Sequence, residues 1–133
     1  MTYLIQFGIA FVVFMGIDLI WLGIIAKPVY AYYLSDFLRP TPNWPVAFLF
    51  YTLFIIGLII FAIQPGVAEQ SVKKASIMGA LFGFFTYMTY ELTNWAVIKD
   101  WPAGIVPIDI IWGIVLSTSV SGISTFIYLR YVA

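Results

Sequence analysis

Cysteine and histidine are both absent from this chain of 133 residues. Without cysteine there are no disulfides, thiolate metal sites, thiol catalysis or cysteine lipidation. Without histidine the commonest general base and the commonest metal ligand are gone. Charge is scarce too: 9% of the residues are charged, where a soluble domain carries about 25%. Six basic and six acidic residues give a formal net charge of zero with no basic tract, which argues against nucleic acid as a partner. The first apolar run lacks a basic leader and contains Asp18, so it does not read as a cleaved signal peptide.

What the chain does have is apolar length. Hydrophobic residues make up 63% of it and aromatic ones 20%, and the mean hydropathy is +1.03. A bilayer-spanning helix needs roughly 20 apolar residues, and four runs meet that length: Tyr3 to Ala26, Val46 to Gln64, Ala75 to Ile98 and Ile105 to Tyr128. Lys27-Pro28 is expected to close the first and Pro65-Gly66 the second. These runs are too long, and too poor in alternation, for barrel strands. The expected fold is all-α, an integral membrane four-helix up-down bundle forming one domain over 1–133. Membrane lipids would be its surroundings.

Between the first two runs, Tyr30, Tyr33, Leu34, Phe37 and Leu38 follow an amphipathic helical spacing, started by Pro28 and stopped by Arg39-Pro40. An interfacial amphipathic helix over about 28–38 is the favoured reading; a lid over a cavity is the alternative. Asn43-Trp44-Pro45 and Asp100-Trp101-Pro102 hint at an internal repeat of two hairpins, although Trp and Pro are common where helices enter membranes. Trp44 and Trp101 are read as interface residues. Gly79 and Gly83, with Gly113, Ser117 and Ser121, form small-residue stripes suited to close helix packing.

Lys73, Lys74 and Arg130 lie on the side of the termini, and Lys27, Arg39 and Lys99 on the other. Three against three leaves the positive-inside rule little to weigh. The Lys73-Lys74 pair favours cytoplasmic termini in an inner membrane, and the balance permits an antiparallel homodimer of opposed copies.

The chemistry resides in three acids. Ile17-Asp18-Leu19-Ile20-Trp21 and Ile108-Asp109-Ile110-Ile111-Trp112 each put a carboxylate three residues before a tryptophan inside an apolar run, and Glu91 is a third intramembrane acid. Such acids are costly in hydrocarbon and usually have a partner or a task. Counted from the expected helix ends, all three fall in a band roughly 6 Å deep and are expected to converge on one interior site. Tyr87, Asn94 and Trp95 share a helix face with Glu91, Tyr90 adjoins it, and Trp21 and Trp112 share faces with Asp18 and Asp109. Pro107 is expected to free a carbonyl near Asp109. Three close acids cannot all ionise without cations.

The run Thr89-Tyr90-Glu91-Leu92-Thr93-Asn94-Trp95-Ala96, then Trp101-Pro102 and Asp109-x-x-Trp112-Gly113, with Asp18-x-x-Trp21 in the first helix, resembles a family of small bacterial four-helix inner-membrane proteins catalogued as a domain of unknown function. The resemblance covers the whole chain; it implies the fold and the polar motif but no reaction. That family usually has Asp at the position of Glu91, and the longer side chain here weakens any claim to strict metal geometry.

The functional expectation is proton-coupled binding or transport of a small cationic or amphipathic ligand at Asp18, Glu91 and Asp109, with Asn94, Trp21, Trp95, Trp112, Tyr87 and Tyr90 shaping the site. No catalytic residue, resident metal or cofactor is assigned. The alternatives are an acid/base enzyme on a lipid or isoprenoid, with a divalent ion between the three acids as a variant, and a non-catalytic accessory protein in which the acids only join helices.

Overall fold

The computed structural model describes residues 2–35, 37–38 and 43–133. They form four helices and, among the described residues, no strand: α1 Thr2–Leu34, α2 Trp44–Ala68, α3 Val72–Val97 and α4 Ile105–Tyr131. Three of them, α1, α2 and α4, are long and apolar enough to cross a membrane. The third, α3, is more polar, with Lys73 and Lys74 at its start and Thr89, Glu91, Thr93 and Asn94 near its end.

Neither expected proline break stops its helix. In α1 the chain continues through Lys27-Pro28 by way of a π-turn, Trp21–Ile25, where the Ala26 N–H reaches back to the Trp21 carbonyl. In α2 a second π-turn, Ile59–Ile63, precedes Pro65. A proline ring clashes with the carbonyl four residues back, and a widened turn can take up that clash without ending the helix. The π-turn also redirects α1. Nine residues amount to two and a half ideal turns, so Trp21 and Tyr30 would sit on opposite faces about 13.5 Å apart. Instead their rings touch, with centroids 6.4 Å apart.

The segment read as a separate interfacial helix is therefore the end of α1, and it lies over the α3–α4 connection. Tyr33 packs on Gly104, and the Phe37 ring lies 5.6 Å from that of Trp101. The expected stop, Arg39-Pro40, falls outside the described residues; the helix itself ends at Leu34.

At the opposite end, Gln70 takes a left-handed φ of 51° and closes α2. The Ser71 N–H returns to the Gly66 carbonyl (2.8 Å) and the Gln70 N–H to that of Val67 (3.1 Å). The Ser71 side chain then caps α3 by accepting the Lys74 N–H at 2.9 Å.

The most extensive packing is α3 on α4. A Cβ on Gly79 would lie 2.6 Å from the Ser117 carbonyl, and one on Gly83 would press on the Gly113 carbonyl and sit 2.6 Å from Ser117 Oγ. Only glycine permits this approach. Phe14, Ile55, Leu58, Ile63, Leu116 and Val120 fill the centre. By contrast, α2 meets α3 closely only from its π-turn onward. Its first half stands off, bridged by Phe54 against Phe82 and Tyr87.

The two Trp-Pro words differ in local structure. Asn43 is the N-cap of α2 and accepts the Val46 N–H, with Trp44 and Pro45 opening the helix. Asp100-Trp101-Pro102 lies in a loop, with Asp100 at a φ of 63°, and α4 starts only at Ile105.

Candidate functional site

Antiparallel helices bring the two repeated words together at their tryptophans. The Trp21 and Trp112 rings stack with centroids 4.2 Å apart and planes 7° from parallel. Because α1 and α4 run in opposite directions, Asp18 then lies about one turn to one side of the stack and Asp109 about one turn to the other. The separation along the bundle is roughly 9 Å, so the three acids do not share one level. Counting depth from Lys27-Pro28 misplaced Asp18 because α1 does not end there.

All three acids are buried, Asp18 at 7% exposure, Glu91 at 1% and Asp109 at 7%. Glu91 and Asp109 are at one level, with their carboxyls within hydrogen-bonding reach of each other. Two carboxyls in contact are held by a shared proton or by a cation between them. The Tyr30 hydroxyl donates to Asp109 Oδ1 at 2.8 Å and accepts from Trp21 Nε1 at 3.4 Å. The Trp101 indole N–H donates to Glu91 Oε1 at 3.1 Å. Asp18 stands apart from this pair, with Tyr51 of α2 beside it. Among the described residues no group of three acids is close enough to hold a metal ion, so the divalent-ion variant is not carried by this geometry. No lysine or arginine pairs with any of the three acids among the described residues; the one ion pair there, Lys74 with Glu69 at 3.5 Å, is at the other end of the bundle.

Two cavities adjoin the acids. The larger, about 670 Å³, lies where the first half of α2 stands off α3. It is lined by Val46, Leu49, Phe50, Leu53, Phe54, Thr86, Tyr87 and Tyr90, and it reaches Asp109. The smaller, about 190 Å³, holds Asp18 among Trp21, Tyr30, Tyr51 and Trp112. Phe50 and Tyr87 line both and form the wall between them. Tyr87 fits there because Gly113 has no Cβ to meet its ring.

The chain is matched over residues 3–126 by the family described as predicted membrane protein (DUF2177). It belongs to that family. The match spans all four helices, including Asp18, Glu91 and Asp109, and the family's function is not known. No curated protein and no solved structure matches the chain significantly.

Of the other residues named from the sequence, Tyr90 lines the larger cavity and packs edge-on against Trp101, and Asn94 follows it one turn later on α3. Trp95 is 51% exposed and lines neither cavity, since it sits at the flank of the Glu91 stripe. Pro107 frees no carbonyl: it is in the first turn of α4, and the Ala103 carbonyl that it would have used accepts the Val106 N–H at 3.2 Å. Three members of the site escaped the sequence reading. The sequence alone places Tyr30 and Trp101 at the membrane interface. Tyr51 had a usable signal, since Tyr51-Thr52 is the one polar step between Phe48 and Ile63 in α2.

Proposed function

We propose that this protein is a multi-pass inner-membrane protein that binds a monocationic, amphipathic ligand at the Glu91–Asp109 pair and exchanges it for the second of the two protons the pair can carry, the first remaining shared between the carboxyls. One observation carries the reading: the buried carboxyls of Glu91 and Asp109 lie within reach of each other where Asp109 meets an apolar cavity, with no protein cation paired to either among the described residues. With one shared proton the pair bears a single negative charge, which a monocation neutralises; with two it bears none and has little hold on the ligand. Affinity therefore rises with pH, and each cation bound releases a proton as pH falls towards the doubly protonated state. The aromatic rings of Phe50, Phe54, Tyr87 and Tyr90 suit an organic cation. The termini would face the cytoplasm, with Lys73 and Lys74 at the headgroups.

The test is titration of purified protein in nanodiscs with tetraphenylphosphonium, following the ligand with a selective electrode. Tighter binding at pH 8 than at pH 6, abolished in Asp109→Asn while the thermal transition persists, is expected. Binding that is equal at both pH values and in the variant would refute the exchange.

A further inference from the structure

The larger cavity does not end at Asp109's neighbours. Thr86 lines it and also lines a second groove, about 640 Å³, that continues down the outer side of α3 past Phe82, Phe85, Leu81 and Met78 to Phe61 of α2. From Tyr90 to Met78 the two together run about 18 Å along α3. The walls are lipid-facing side chains: Leu49, Leu53, Phe61, Leu81 and Phe85 are all exposed. In a bilayer such a channel fills with hydrocarbon rather than water.

The polar groups along the lower part are already satisfied. Thr86 Oγ1 donates to the Phe82 carbonyl at 2.8 Å and Thr89 Oγ1 to that of Phe85 at 2.6 Å. Neither has a hydrogen left to donate to a ligand, so this stretch offers an unbranched chain mainly dispersion contacts. Polarity is confined to the Asp109 end, where the charge available is negative. Lys27 and Lys99, the described cations at that end of the bundle, are exposed and pair with none of the acids. A phosphate-bearing head is therefore repelled where an amine is attracted.

We infer that the ligand is a single-chain, long-chain amine that enters sideways from the bilayer between α2 and α3, its ammonium at Asp109 and its chain laid along α3 towards Met78. This deepens the proposed function and rests on it for the head group. The chain seat is an independent claim about the groove.

Photolabelling separates the two. Hexadecylamine carrying a diazirine at the chain terminus is added to the full-length protein in phosphatidylcholine nanodiscs, irradiated, and the adducts are mapped. Adducts confined to Phe61 and to α3 between Met78 and Phe85 are expected. They should fall at least tenfold in Asp109→Asn and in Leu81→Trp, whose indole fills the lower groove from an exposed position. Leu81→Trp should keep pH-dependent tetraphenylphosphonium binding, which also shows that it is folded. Adducts spread over the outer faces of α1 and α2, or unchanged in both variants, would overturn the chain seat. If tetraphenylphosphonium still responds to pH in that case, the acid site survives without it. If it does not respond, both readings fall.

Discussion

Tyr30 is the residue on which the upper site turns, because it touches both the tryptophan stack and an acid. Its hydroxyl receives the Trp21 N–H and gives its own hydrogen to Asp109. Hydrogen bonds to charged groups contribute about 1.5–3 kcal/mol, so Tyr30→Phe is expected to lower stability by that order in chemical unfolding of the detergent-solubilised protein. Tyr32→Phe, on an outward-facing neighbour, should change nothing. The Trp21–Trp112 stack makes a second prediction. Rings this close and this parallel couple excitonically, so Trp21→Phe and Trp112→Phe should each remove the same couplet from the circular dichroism spectrum, and the double variant no more. Two unequal losses would show that the rings are not partners. At this scale the acids were legible in the sequence because carboxylates in apolar runs are conspicuous. Tyr30 and Trp101 were not, since aromatic residues at a membrane interface look alike whether they meet lipid or a buried acid.

The helices divide into a tight pair and a looser one. Where α3 meets α4, Gly83 has the Gly113 backbone against it, and backbone cannot step aside as a side chain can. Gly83→Ala is expected to cost about 1–3 kcal/mol through overpacking. Gly8 and Gly16 of α1 have nothing within 4 Å of an added Cβ, so Gly16→Ala should be neutral or stabilising by up to about 1 kcal/mol. Parallel thermal melts of the two variants check both signs. The glycine stripes could be read from the sequence because close packing demands small residues four apart. The ends of α1 and α2 could not. Proline usually stops a helix, and only the three-dimensional path shows a π-turn taking up the clash before Pro28 and Pro65. That misreading of α1 also displaced Asp18, which is why one acid site became two chambers divided by Phe50 and Tyr87.

For the whole molecule, the four-helix order follows from apolar run lengths and the family from a resemblance in its motif residues, whereas orientation follows from neither, because the basic residues divide three and three between the two expected sides. The lack of native cysteine makes orientation easy to measure: single cysteines at Gln70 and at Lys99 in intact cells should react with impermeant maleimide only at Lys99 if the termini are cytoplasmic, and equally at both if copies insert in opposite senses. The position of Asp109 has a further, electrical consequence. It lies four residues inside α4, about 6 Å along a helix, or roughly one-fifth of a hydrocarbon core about 30 Å thick. Moving one charge across the whole core is worth about 2.3 kcal/mol per 100 mV. A cation reaching Asp109 from the near face therefore feels about 0.5 kcal/mol, roughly a twofold change in occupancy. One arriving from the far face feels about 1.8 kcal/mol, roughly twentyfold. Imposing a potassium diffusion potential on oriented proteoliposomes would thus report, from the steepness of binding alone, which side of the membrane the acid pair answers to.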